Sequence, residues 1–453
     1  MSKMNKKGLV PELRFPEFLD QEPWACERFD KLYKLKVTNS LSRDKLNYEK
    51  GSVKNIHYGD IHTKFSTLFD IKKESVPFIN SSVPLDKINL GSYCQEGDMV
   101  FADASEDMDD IGKCIELTNL NSEKLLAGLH TLLARQIDNK IVKGFGGHLF
   151  KSAPMRKQIQ REAQGAKVLG ISGGRITTID VIYPEDETEQ QKISDCLSSL
   201  DELVIAQNQK IESLKAYKKG LMQQLFPTQG KTLPKLRFPE FQGAWVKYSI
   251  ETLVQDKLIF APKDGNHGNI HPKSTDYVEH GIPFIMANNI KNGEIDLLKC
   301  SHLTKEQADN LQKGFAKEED VLLTHKGTVG RVTVVRRSEF PYLMLTPQVT
   351  YYRVRDKEKL LNKFLAFAFI SEEYQQELKN VSGGGTRAYV GITAQQKLSI
   401  VIPPTFEEQK KVADYLLSVD ELIIAQCQKL ESFKVHKKGL MQQLFPVVNE
   451  ESV

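Results

Sequence analysis

Asn288 and Asn289 are adjacent side-chain amides. Each carries the donor and acceptor that match the N6/N7 edge of adenine. They close the segment Pro283-Phe-Ile-Met-Ala-Asn-Asn-Ile-Lys291, whose last residue, Lys291, is a cation. Further on, Thr324-His-Lys-Gly-Thr-Val-Gly-Arg331 holds Lys326 and Arg331, which suit guanine edges or phosphates, with His325 and Thr328 beside them. Gly327 and Gly330 let backbone approach a ligand closely. A third segment, Ser382-Gly-Gly-Gly-Thr-Arg-Ala-Tyr389, sets glycine backbone next to Arg387 and Tyr389, a composition suited to phosphate. The first half of the chain has loops in the same order but of different content. Lys54 is followed by Asn55-Ile-His-Tyr-Gly-Asp-Ile-His-Thr63 and Lys64, which presents His57, Tyr58, Asp60 and His62. Ala102–Lys113 ends in Gly112-Lys113, and Ala163-Gln-Gly-Ala-Lys-Val168 carries Lys167, with Arg175 beyond it. Read one at a time, these are also what ordinary turns with solvated charges look like; read together, their chemistry is that of holding a nucleic acid.

Signals of bond-breaking chemistry are thin. The Asn-Pro-Pro-aromatic tetrapeptide of amino-methyltransferases is absent, because Pro403-Pro404-Thr405-Phe406 lacks the leading Asn. Gly144-Phe-Gly-Gly147 has neither a P-loop lysine nor the spacing of a dinucleotide fingerprint. His267 and His271 are four apart, but Gly265, Gly268 and Pro272 argue for a loop rather than a metal-binding helix. The acidic run Asp103, Glu106, Asp107, Asp109, Asp110 keeps a metal-dependent nuclease open as an alternative, although such runs are more commonly solvated loops. A structural adaptor whose loops bind protein is the other alternative. No cofactor motif is present, and no cofactor is expected.

Composition sets the class. The chain has 453 residues, 40% of them apolar and 27% charged, which suits two or three folded domains and excludes global disorder. Its 62 basic and 59 acidic residues give a net charge of +3, so any nucleic-acid contact depends on where the charge sits. No apolar run approaches the roughly 20 residues that span a bilayer. The lysine-bearing N-terminus lacks the apolar stretch of a secretory signal, so a cytoplasmic location is expected. The six cysteines form no C-x-x-C and read as free thiols.

An internal duplication organises these elements. Pro11-Glu-Leu-Arg-Phe-Pro-Glu-Phe18 recurs as Pro234-Lys-Leu-Arg-Phe-Pro-Glu-Phe241, each followed by one of the two tryptophans, Trp24 and Trp245. Leu200–Pro227 recurs at Val419–Pro446, with 21 of 28 positions identical. In both copies apolar residues alternate in steps of four and three over about four heptads, a coiled-coil seam. The seam includes Leu197, Val204 and Ile211 in one copy and Leu416, Ile423 and Leu430 in the other, with Gln207, Lys218, Gln426 and Lys437 interrupting at matching slots. About 38 helical residues make a rod of about 57 Å. The simplest arrangement pairs the rods antiparallel, burying both seams, and returns Pro446 close to Pro11.

Between the rods, Ser75–Asn80, Asp98–Ala102, Asp320–Thr324 and Arg331–Val335 are predicted as short strands, and Asn362–Leu378 as a helix with a counterpart near Gly147–Ala163. The expected fold is α+β: two mixed α/β recognition domains in tandem, separated by two long antiparallel helices that form a coiled coil. The expected boundaries are 1–185 for the first domain, 186–227 for the first rod, 228–403 for the second domain, 404–446 for the second rod and 447–453 for a tail.

These features together resemble the specificity subunits of type I restriction–modification systems. The residues that carry the resemblance are the Leu-Arg-Phe-Pro openings after Pro11 and Pro234, Gly59-Asp60-Ile61, Gly327–Arg331 and Gly384–Arg387. To these add the Glu-Gln entries at Glu189 and Glu408 to helices ending Lys-Lys-Gly-Leu-Met-Gln-Gln-Leu-Phe-Pro. The resemblance implies a non-catalytic DNA-reading subunit with two target-recognition domains, each reading half of a split double-stranded DNA site. It implies docking of two methyltransferase (modification) subunits that carry S-adenosylmethionine and methylate adenine, and a restriction subunit that can join for translocation and cleavage. The first half departs from the pattern in its acidic loop.

Overall fold

The two periodic segments form helices of 39 residues each, Glu187–Leu225 and Phe406–Leu444. They belong to a computed structural model that describes residues 9–86, 88–383 and 388–447. Among the described residues no helix is long and apolar enough to cross a membrane. Contacts divide the chain into two units, Met1–Asn208 with Gln428–Val453, and Gln209–Cys427, so each unit holds a part of each long helix.

The first unit is built on two sheets. A five-stranded sheet runs Tyr33–Lys36, Thr131–Gln136, Met99–Ala102, Cys114–Asn119, Leu68–Asp70, all antiparallel except the last pair. A four-stranded sheet runs Leu125–Ala127, Lys54–Ile56, Phe78–Ile79, Leu46–Asn47. Ile56, Ile61, Phe69, Val100, Ile115 and Leu125 form one core, and Trp24, Phe29, Phe101, Phe145, Ile193, Leu197, Leu444 and Phe445 form another that includes both long helices. The second unit has two four-stranded sheets: Lys263–Asp264, Val349–Tyr352, Val321–Thr324, Val332–Val334, and Ser301–Leu303, Ile282–Ile285, Leu343–Leu345, Phe315–Ala316. Here Leu221, Leu225, Phe226, Trp245, Phe364, Val412 and Leu416 join one core.

In both units the same small set of side chains ties the recognition domain to the long helices. A strand following the tryptophan pairs with the strand that feeds a long helix: Ala25–Arg28 with Asp180–Tyr183, and Val246–Ser249 with Ser399–Ile402. That pairing sets the tryptophan over the first turn of the helix. Trp24 Nε1 donates to Glu189 at 3.2 Å, and Arg14 donates two bonds to the same carboxylate at 2.8 and 2.7 Å. In the second unit Trp245 Nε1 donates to Glu408 at 3.0 Å, and Arg237 donates at 2.7 and 2.8 Å. The repeated Arg of the opening motif and the repeated Glu of the helix entry are thus one buried ion pair, used twice. Gln190 and Gln409, next in the chain, each bridge a loop: Gln190 accepts from Val142 N and donates to Lys140 O, and Gln409 accepts from Leu361 N and donates to Lys359 O.

The openings also hold the far ends of the helices. Leu13 N donates to Gln443 O in the first unit, and Leu236 N donates to Gln224 O in the second, both at 2.9 Å. The end of the second helix therefore lies against the start of the chain, as the duplication predicts. Within each unit the two helices are joined across the seam by lysine: Lys437 pairs with Asp201, and Lys218 with Asp420 at 2.6 and 2.7 Å. These pairs are equivalent under the repeat, and they turn two polar seam positions into an antiparallel register. Leu197, Ile211 and Leu416 are buried, while Val204, Ile423 and Leu430 are half-buried.

Two expectations change. The helix predicted over Asn362–Leu378 is two helices, Asn362–Ile370 and Glu372–Ser382, because Ser371 takes an extended conformation and caps the second through Tyr374 N. Its counterpart is likewise split, Phe145–Lys151 and Ala153–Glu162, at Ser152. Of the segment Ser75–Asn80, only Phe78–Ile79 is strand. One buried acid anchors the first of these helices. Glu116 accepts from Gly144 N and Gly147 N, both at 2.7 Å, yet burial outweighs those bonds and pushes its carboxyl up to about 7.

Removing one partner of a buried ion pair leaves an uncompensated charge and costs about 3–5 kcal/mol. Arg14→Ala is expected to destabilise the first unit by that amount, and Arg237→Ala the second unit by less, since Arg237 is more exposed (side chain 16% against 4%). Urea unfolding followed by fluorescence in a Trp245→Phe background reads the first unit through Trp24 alone; an unchanged midpoint would refute the clamp. For Glu116, the folded chain keeps a proton that the unfolded chain has released between pH 4.5 and about 7. Its contribution to stability is complete below that window and falls as pH rises through it, by up to about 1.4 kcal/mol per pH unit. The difference in stability between wild type and Glu116→Gln should slope across that window and be flat above it.

Candidate nucleic-acid interface

In the first unit the loop after Lys54 becomes a short helix, Tyr58–Thr63. His57 caps it, Nδ1 accepting from Gly59 N at 3.2 Å, and Thr63 Oγ1 donates back to Gly59 O at 2.7 Å. Asp60 is buried on the inner side and pairs with both Arg43 and Lys64 at 3.0 Å. The Tyr58 ring sits among three imidazoles, with centroids 4.7 Å from His57, 6.0 Å from His62 and 5.3 Å from His130. The acidic loop Ala102–Lys113 is drawn to this helix: His62 Nε2 lies 3.0 Å from Ala104 O, and Lys113 Nζ donates to His62 O at 2.7 Å. A third loop joins them, since Leu169–Gly170 pairs with Ala104–Ser105. Lys167 in that loop is exposed, and Arg175 pairs with Glu162 at 3.2 Å. Lys54 pairs with Glu123 at 2.7 Å.

The second unit converges in the same way with different side chains. Arg331 donates to Ile290 O at 2.8 Å and Ala287 O at 3.3 Å, binding the asparagine turn to the glycine loop. Gly330 has φ +95°, and a Cβ there would lie 2.4 Å from Gln375 Oε1, so the position demands glycine. Lys326 pairs through its backbone with Tyr389, and its ammonium lies 6.0 Å from the Tyr389 ring centroid. Gly327 N donates to Ala388 O at 3.1 Å. Asn288, Lys291, Lys326, Thr328 and Tyr389 are exposed along this rim. Arg387 and its Gly384–Arg387 segment lie outside the described residues.

Four expected contact residues are corrected by burial. Asn289 is interior: its Oδ1 accepts from Met286 N at 2.9 Å and its Nδ2 donates to Lys299 O at 3.2 Å, so its amide is spent on the turn that presents Asn288. His325 is enclosed, its Nδ1 2.9 Å from Val390 O, and burial pushes its imidazole down toward the neutral form. His57 is a buried cap, also pushed down by burial, and Asp60 is a buried counter-ion. Arg331, half-buried, holds backbone carbonyls and positions the loop. The acidic run is occupied in the same sense, with Asp107 Oδ1 accepting from Asp109 N at 2.9 Å and Arg156 donating to Asp109 O and Ile111 O. Three residues at the first-unit rim, Arg43, Tyr48 and His130, carried no sequence signal; Lys64 Nζ donates to Tyr48 OH at 3.0 Å, and His130 Nδ1 lies 3.1 Å from Asp103.

Known proteins share this architecture. Residues 260–432 match the family described as type I restriction modification DNA specificity domain. The MjaVIII type I restriction enzyme specificity subunit of Methanocaldococcus jannaschii is 26% identical over 69% of this chain and 72% of its own length. The putative MjaX specificity subunit of the same organism is 26% identical over 90% of this chain and 88% of its own. Among solved structures, the S subunit of a type I restriction-modification system from M. genitalium covers 97% of this chain and 100% of its own, with TM-score 0.55 and 15% identity. A chain from a structural study of complex assembly and conformational transition of the type I R-M system covers 93% of this chain and 97% of its own, with TM-score 0.57 and 15% identity. Residues 260–432 thus match the type I restriction modification DNA specificity domain, and the chain as a whole is similar in sequence and fold to the specificity subunits of type I restriction–modification systems.

Proposed function

We propose that this chain reads a bipartite duplex DNA target without catalysing a reaction on it, one half-site per recognition domain, with the domains at 1–185 and 228–403 and the rods at 186–227 and 404–446. Two modification subunits dock on the repeated helix frame, supply S-adenosylmethionine, and methylate adenine; a restriction subunit joins the same assembly. The reaction is theirs, the choice of site is this chain's, and the setting is cytoplasmic. The observation that carries this reading is the contrast within the duplication. The Arg–Glu–Trp clamp, the bridging glutamine and the lysine–aspartate seam pair are the same in both units, whereas the rims differ. A constant frame offers one partner two equivalent docking surfaces. Unlike rims suit two unlike half-sites.

On the rim, Tyr58, Lys64 and Lys167 with Arg43, Tyr48 and His130 serve the first half-site, and Asn288, Lys291, Lys326, Thr328 and Tyr389 the second. His62 and Lys113 join the loops of the first rim. Lys54 and Arg175, each held by a glutamate, support it from behind.

Methylome sequencing of a host with and without this chain should reveal a split adenine-methylated motif that disappears with the chain; a continuous motif, or none, would reject the reading. Asn288→Ala should lower discrimination at one adenine by about 1–3 kcal/mol with the fold intact. Asn289→Ala should instead lower stability by about 1–3 kcal/mol, the cost of stranding buried backbone groups, and leave the motif unchanged. Deleting one heptad from a single rod should alter the gap tolerated between half-sites, and an unaltered gap would show that the rods do not set it.

A further inference from the structure

The repeat carries the same three lysines on both long helices, Lys215, Lys218, Lys219 and Lys434, Lys437, Lys438. Their surroundings are not the same. In the second unit the helix that follows Ser371 opens with Glu372 and Glu373, Gln223 on the long helix donates to Glu372 at 3.0 Å, and Lys215 pairs with Glu212 at 2.8 Å. Ser371 Oγ caps that helix by accepting from Tyr374 N.

In the first unit the equivalent helix, Ala153–Glu162, has no acid in its first turn and no side-chain cap. Ser152, the capping residue, is 1% exposed, and its hydroxyl has no partner among the described residues. Ala153 borders a cleft of about 380 Å³ whose other walls include Lys151, Asp201, Lys434, Lys437 and Lys438. Lys437 is neutralised by Asp201, but Lys434 and Lys438 have no ion pair among the described residues. Lys151 donates to the Thr67 hydroxyl, and burial together with the nearby Lys437 and Lys113 pushes its ammonium down. A half-enclosed group of ammonium ions beside an uncapped helix N-terminus lacks one component, an anion.

We propose that this cleft of the first unit is a phosphate-group site, occupied by the backbone of bound duplex DNA. The proposal rests on the DNA-reading function above for its ligand's source. The ammonium groups act as point charges on phosphate oxygens, and the first-turn N–H groups donate to the same anion. The contact carries no base information, so it grips duplex on one side of the molecule without altering the sequence read.

The test uses the full chain with its modification subunit. Affinity for target duplex is measured against salt in wild type, Lys434→Gln/Lys438→Gln, and Ala153→Glu/Pro154→Glu, which installs the acids of the second unit at helix positions that favour them. One lost phosphate contact should reduce the slope of log K against log salt by about 0.9, with the methylated motif unchanged. Lys215→Gln/Lys219→Gln in the second unit should leave the slope as in wild type. An unchanged slope in both first-unit variants, or an equal loss in the second-unit variant, overturns the DNA assignment. Inorganic phosphate and pyrophosphate are titrated in parallel by thermal shift: stabilisation of wild type but not of the first-unit variants, with no change in the DNA slope, would assign the cleft to a free phosphate compound and reject the backbone. Wild type that binds no duplex at all would reject the function proposed above, while the phosphate titration still reads the cleft.

Discussion

A carboxylate buried in the first turn of a long helix is the constraint on which each unit rests. Glu189 and Glu408 are 1% exposed and receive a bidentate guanidinium and an indole N–H. An acid at a helix N-terminus is favoured by the helix dipole, but burial makes it expensive unless it is paired and fully bonded. The pairing forces three distant segments together: the opening with its arginine, the strand after the tryptophan, and the strand that feeds the helix. Trp24 then packs edge-on against Phe445 and Trp245 against Phe226, so the terminal Phe-Pro of the opposite rod is seated by the same cluster. This cluster is a principal joint of frame and domain, and its residues are ones the duplication keeps.

The rims obey a different economy of side chains. Buried Asn289, His57 and Asp60 and half-buried Arg331 hydrogen-bond backbone or neighbouring side chains and give each loop a single shape. What remains exposed is then presented from a fixed place, and a change of exposed residue alters chemistry without disturbing the turn. Preorganised loops of this sort lose little entropy when they meet a ligand.

The helical frame was readable from the chain because its signal is long: a seam of about four heptads, duplicated, with polar interruptions in register. The repeated Arg, Trp and Glu were also visible, but only as repetition, since nothing in a sequence says that Arg14 and Glu189 meet across 175 residues. The domains were less readable. Their strands are two to six residues long, too short for a period to declare itself, and Ser152 and Ser371 break helices whose apolar spacing continues across the break. At the rim, Asn288 and Asn289 are the same residue type side by side, and only the direction of the backbone sends one outward and one into the turn. Arg43, Tyr48 and His130 come from segments with no motif and are assembled by the sheets.

The bond from Leu13 N to Gln443 O has the same geometry as that from Leu236 N to Gln224 O, although only the second pair is joined by a short peptide. Chain connectivity at that corner is consequently redundant. A permuted chain that starts within residues 228–233, runs to the second rod and continues through a short added linker into residue 9 would retain every clamp, seam pair and rim described above.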